Sequence, residues 1–162
     1  MEGLIEVTVD SVRLSTMSNH HVVLLKEVEG QRYLPIWIGP FEAEAINIEL
    51  HGLKAARPLT HDLLKMVIDQ IGATVSHILV NDLSADTFYA RIVMDVNGRH
   101  VEVDSRPSDA IALAVRAKAP IFVAESVMEV AAITPSTEEE GTSDEEEEKP
   151  SAFRDFIDSL DL

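Results

Sequence analysis

A chain of 162 residues that is 46% hydrophobic and 26% charged has enough apolar content for one domain with a small appendage. It has no cysteine, which excludes a disulfide framework, a zinc–thiolate site and a cysteine nucleophile. The net charge of −16 is uneven: residues 135–162 hold eleven acids and two bases, leaving the body at −7, so nucleic-acid binding through a broad basic face is excluded and local arginines would have to carry it. The opening "MEGLIEVTVD" has no basic region, and no apolar run reaches membrane-spanning length. A cytoplasmic protein with no membrane partner is expected.

From the N-terminus, "LIEVTVDSVRL" alternates at period 2 through Ile5, Val7 and Val9, as a half-buried strand does. "MSNHHVV" is a hairpin turn. His20 and His21 are adjacent there and project to opposite faces, so they make poor co-ligands for one metal. "HHVVLLKEV" and "RYLPIWIG" are strands around the turn "EGQ", and "PFEAEAINIELHG" has helical character ending at Gly52. "THDLLKMVIDQIG" is the clearest helix. Thr60 is the expected N-cap, Leu63, Leu64, Val67, Ile68 and Ile71 form its apolar stripe, and Gly72 stops it. "TVSHILVNDL" and "TFYARIVMDV" are strands around "SAD", and "NGR" turns into "HVEVDS". "PSDAIALAVRAKA" is a helix that is apolar on nearly every side and hence central; "PIFVAE" is a last strand. Residues 135–150 read as a self-repelling acidic linker. In residues 151–162, Phe153, Phe156, Ile157 and Leu160 lie on one face of a short amphipathic helix that would dock on the body or on a protein partner.

The pattern doubles. Displacing the chain by 67 residues sets Arg32 on Arg99, Ile36 on Val103, Pro40 on Pro107, Glu42 on Asp109 and Ala43 on Ala110. Each copy reads strand, proline, acid, alanine, helix. Proline suits the first helical position because its missing N–H would have had no partner there. An acid two residues later faces the orphan N–H groups and the positive end of the helix dipole, worth about 0.3–1 kcal/mol. Ser105, Ser108 and Asp109 can satisfy a buried helix start, an account that stands beside a functional role for Ser108 and Asp109. The arginines need a different explanation. Arg57 and Arg106 each precede a proline, so each is held extended at a helix entrance, where a guanidinium and backbone N–H groups make an anion site suited to phosphate. The alternative is that each pairs with an acid such as Asp104 or Glu42.

"LPIWIGPFEAEAI", "RPLTHDLL" and "VDSRPSDAIALAVR", in this order and near this spacing, resemble the bifunctional nuclease (BFN) domain family over roughly residues 4–134. The resemblance implies a compact α+β fold, a duplicated three-strand-plus-helix repeat covering residues 1–134. It also implies nuclease activity on DNA and RNA. It brings no catalytic mechanism that can be assigned residue by residue. Some bacterial members add a UVR-like helical module; this chain has the acidic linker and short amphipathic end instead, so that module's partners do not follow.

Phosphodiester hydrolysis needs charge stabilisation on the phosphate, an activated water and a protonated leaving oxygen. The catalytic candidates are Glu42, His61, Asp62 and Asp109, and the phosphate-binding candidates are Arg57, Thr60, Arg106 and Ser108. A metal route would set Mg²⁺ or Mn²⁺ on Glu42, Asp104 and Asp109; a metal-free route would use His61 as general base or acid. There is no H-E-x-x-H, Walker A loop, G-x-G-x-x-G or G-x-S-x-G. Trp37, Tyr33 and Phe41 flank the first helix entrance, placed either for packing or for stacking on bases. Two further readings stand beside the nuclease: a non-catalytic module binding a phosphate- or carboxylate-bearing ligand, and an interaction protein working through its tail. A homo-oligomer is expected under all three, because a half-exposed Val-, Ile- and Leu-rich sheet is better covered by a symmetric partner.

Overall fold

The computed structural model describes residues 3–15 and 17–135. Pro135 apart, the acidic linker and the amphipathic end lie outside the described residues. Strands β1 (Leu4–Leu14), β2 (His21–Glu27) and β3 (Tyr33–Ile38) form an antiparallel meander that leads into helix α1 (Pro40–Leu50). After α2 (Thr60–Gln70), the strands β4 (Ala73–Ser84), β5 (Thr87–Val96) and β6 (Arg99–Ser105) repeat the meander and lead into α3 (Pro107–Ala117). The short strand β7 (Ile121–Ala124) joins the halves, antiparallel to β1 and parallel to β4, and gives the seven-strand order β3-β2-β1-β7-β4-β5-β6. The duplication is thus a property of the fold. Pro40 and Pro107, 67 residues apart in sequence, open equivalent helices of 11 residues each, and these helices pack against one another.

Local chemistry explains the boundaries. Asn97 (φ 54°) and Gly98 (φ 79°) form the left-handed pair that a two-residue hairpin requires. Helix α3 is the centre of the core: Ala110, Ile111, Ala112, Leu113 and Ala114 are all buried. Small side chains let it lie close to the sheet and to α1.

Three features differ from expectation. Leu59, not Thr60, is the N-cap of α2: the backbone is still extended at Leu59 (φ −81°, ψ 175°) and Thr60 is the first helical residue, while the Asp62 carboxylate accepts the Leu59 N–H at 2.9 Å. Of the α2 stripe, Ile68 is buried and Leu64 packs partly against the core, while Leu63, Val67 and Ile71 stay exposed. A fourth helix, α4 (Glu125–Ala131), follows β7 directly and buries Val127 and Met128. As for the sheet, β2 buries Val22, Val23, Leu24 and Leu25 in succession, so both of its faces are covered.

Candidate active site

All three long helices carry an acid at their third position: Glu42 in α1, Asp62 in α2 and Asp109 in α3. Only Asp62 serves its own helix end. Its other oxygen accepts from Arg116 Nε at 2.6 Å. The Asp62 carboxyl is held below the usual carboxylate range, first by the Leu59 N–H, against the opposing effect of burial, and then by Arg116. Asp62 is therefore structurally occupied and does not line the cleft described next.

Glu42 and Asp109 are joined instead through one guanidinium. Arg106, the N-cap of α3, is extended (φ −67°, ψ 142°), as a residue before proline must be. Its side chain does not point away from the helix but folds back over it. Nε donates to Asp109 Oδ2 at 2.8 Å, and Nη2 donates to Glu42 Oε1 at 2.8 Å. Asp109 also accepts on Oδ1 from His61 Nε2 at 2.9 Å. A continuous chain Glu42–Arg106–Asp109–His61 thus ties together the N-termini of α1, α3 and α2. The duplication accounts for half of it: Glu42 and Asp109 occupy equivalent positions, but the position equivalent to Arg106 is Gly39, so one guanidinium serves both acids. The bond to Asp109 foremost, and then Glu42, raises the Arg106 pKa above its ordinary value.

The chain borders an open cleft of about 520 Å³, lined among others by Phe41, Glu44, Thr60, His61, Arg106 and Asp109. His61 is nearly buried, whereas the Arg106 side chain is 69% exposed. An ionised carboxylate only accepts, so His61 Nε2 carries the hydrogen and Nδ1 is the basic ring nitrogen. Phe41, 80% exposed, stands at the rim. Ser108 is on the far side of Arg106, in a second hollow with Trp37 and Phe88. Arg57 lines a third hollow, which adjoins the cleft through Ile48 and Pro58.

Of the residues singled out in the sequence, the fold brings together Glu42, Thr60, His61, Arg106 and Asp109. It separates Arg57, Asp62 and Ser108 from them. Asp104 is exposed on β6, opposite Arg91 of β5. The residues do not fit the metal set Glu42, Asp104 and Asp109. Among the described residues no group of three or more His, Asp or Glu side chains is placed to hold a metal ion, and Arg106 Nη2 lies 2.8 Å from both Glu42 and Asp109, where a cation between them would sit.

Arg116 was not anticipated. Its side chain is buried; besides the bond to Asp62 it donates from Nη1 to the Ala112 carbonyl at 2.8 Å and from Nη2 to the Ala45 carbonyl at 3.0 Å. It joins α3 to α1 and α2 directly behind the cleft. The available signal was a lone arginine in the last turn of an otherwise apolar helix.

The chain is 41% identical over 157 residues to "Uncharacterized protein Rv1829" of Mycobacterium tuberculosis, covering 96% of this chain and 94% of that protein. It is 31% identical over 109 residues to "Bifunctional nuclease 2" of Oryza sativa subsp. japonica, covering 65% of this chain and 34% of that protein. Over 108 residues it is 30% identical to "Bifunctional nuclease 1" of Arabidopsis thaliana, covering 64% of this chain and 33% of that protein. The chain therefore spans about a third of the length of these plant relatives. The model of the bifunctional nuclease domain matches residues 23–136, which include both proline-started helices and every residue of the Glu42–Arg106–Asp109–His61 chain; the protein belongs to the bifunctional nuclease domain family.

Proposed function

We propose that the protein hydrolyses phosphodiester bonds of DNA and RNA at the cleft where α1, α2 and α3 begin. The observation that carries this reading is the hydrogen-bonded chain Glu42–Arg106–Asp109–His61 beside an open cavity. Asp109 orients His61 and fixes its tautomer. His61 Nδ1 accepts a proton from the attacking water as the new O–P bond forms. The ester oxygen leaves as its P–O bond breaks and is protonated from solvent, which the open cleft admits. Arg106 spends Nε and Nη2 on carboxylates, and its exposure leaves Nη1 available to a phosphate oxygen, where charge builds in the transition state. Phe41 at the rim offers a face for a base. Names of plant relatives support the reaction class, and family membership supports nucleic acid as the partner.

A second reading is favoured by one observation. The cleft is lined by three carboxylates (Glu42, Glu44 and Asp109) against one guanidinium, which opposes the approach of a phosphate polymer. On that reading the site binds a small anionic ligand or a protein without cleavage. The test uses single-stranded DNA and RNA oligonucleotides with wild type, Arg106→Lys and Arg106→Ala, with and without Mg²⁺ or Mn²⁺. The nuclease reading expects cleavage by wild type and a loss of 100-fold or more in both variants, because Lys lacks the fork that spans Glu42 and Asp109. Thermal stabilisation by a ligand without cleavage would establish the second reading instead.

A further inference from the structure

Helix α2 buries only one edge. Leu63, Met66 and Val67, with its C-cap Ile71, are between 49% and 65% exposed, and their spacing of i, i+3, i+4 and i+8 puts them on one face. Exposed apolar side chains scattered singly are normal; four on one helix face form a docking surface. Met66 also lines the hollow that holds Leu53, Lys54 and Arg57. Leu53 is exposed, and among the described residues Arg57 makes no hydrogen bond or ion pair. The surface is thus an apolar ridge whose edge carries two bases, Lys54 and Arg57, and two acids, Glu49 and Asp62.

We propose that this face is covered by residues 151–162 of the same chain. Three features point to that occupant. Phe153, Phe156, Ile157 and Leu160 recur at i, i+3, i+4 and i+7, an apolar stripe of about the same length as the α2 ridge. Charge allows local pairing: residues 151–162 carry Asp155, Asp158 and Asp161 against Arg154, and Lys54 and Arg57 stand beside the ridge, where Glu49 is present and Asp62 is already bonded to Arg116 and the Leu59 N–H. Reach is sufficient. The described chain ends just after Ile133, which pairs with Tyr33 of β3, and the 15 residues 136–150 can span about 50 Å when extended. A body of this size is only about 30–40 Å across, so any of its faces is within range.

A second copy is the competing occupant. Like charge opposes both occupants, chain against chain at −16 each and tail (−9) against body (−7), but the tail is tethered at roughly millimolar effective concentration, so the tail prevails.

The experiment is methyl NMR on the full-length protein, comparing wild type with Phe153→Asp/Phe156→Asp and with Lys54→Glu/Arg57→Glu. In the tail variant the methyl resonances of Leu63, Met66, Val67 and Ile71 are expected to shift, while those of buried Leu113 stay in place and report an intact fold. The basic-pair variant should move the same ridge methyls in the same direction, because it weakens the docking from the other side. The wild-type positions should not change on tenfold dilution. Ridge methyls that ignore the tail substitutions overturn the proposal. So do wild-type positions that change on dilution together with a dimer in sedimentation, because the occupant is then a second copy.

Discussion

Replacing Arg116 by methionine keeps most of the buried hydrocarbon and removes only the guanidinium. Three bonds disappear, to Asp62, the Ala112 carbonyl and the Ala45 carbonyl. Removing one partner of a buried ion pair costs about 3–5 kcal/mol, because the other charge stays behind uncompensated. Here the Asp62 side chain is 34% exposed and keeps the Leu59 N–H, so water and the helix end absorb part of the penalty. The low end, about 3 kcal/mol, is expected. Urea denaturation followed by far-UV circular dichroism measures it, and Asp62→Asn completes a double-mutant cycle. The double variant should be more stable than the sum of the single losses implies, with a coupling of about 1.5–3 kcal/mol, the range for hydrogen bonds to charged groups. If Arg116→Met costs less than about 1 kcal/mol, or if the two losses simply add, then Arg116 does not join the three helices in the way described.

The acid limb of stability follows from Asp62 and Glu27, whose carboxyls are held below their ordinary values by the Leu59 N–H and by Arg32 respectively. A lowered native pKa means that the unfolded chain binds the extra protons, so this stability is fully present above the usual carboxylate range and is lost as pH falls below about 4. Urea midpoints between pH 6 and pH 3 should therefore drop, and drop less steeply in Asp62→Asn. Phe41→Ala should leave stability within about 0.5 kcal/mol, because the ring is largely exposed. At fixed salt it should weaken binding of a single-stranded oligonucleotide by about 1–3 kcal/mol, measured by fluorescence anisotropy; unchanged affinity would remove Phe41 from the binding surface.

What could be read in the sequence is what short-range chemistry determines. Pro40 and Pro107 mark helix starts because a missing N–H costs nothing there, and Asn97-Gly98 marks a hairpin because both residues accept positive φ. The internal match put Glu42 and Asp109 at equivalent positions, and the fold brings them to one guanidinium. What could not be read depends on long-range pairing. Arg106 and Glu42 are 64 residues apart, and Arg116 and Asp62 are 54 apart, so nothing local identifies either partner. Asp109 looked like a helix-capping acid and instead divides its oxygens between His61 and Arg106. The α2 stripe looked like core, yet apolar periodicity reports a face that needs covering without saying what covers it. Helix α4 was hidden because it begins at the residue after β7, with no turn signal between them.

The most direct measurement is a double-mutant cycle on single-turnover cleavage of a single-stranded oligonucleotide, using wild type, His61→Gln, Asp109→Asn and the double variant, each checked for an unchanged urea midpoint. If His61 and Asp109 act as one base held in one tautomer, either single substitution lowers the rate by about 10²–10⁴-fold and the double variant is hardly slower than the worse single one. Full activity in either single variant, or losses that multiply in the double, would contradict a shared role for the two residues.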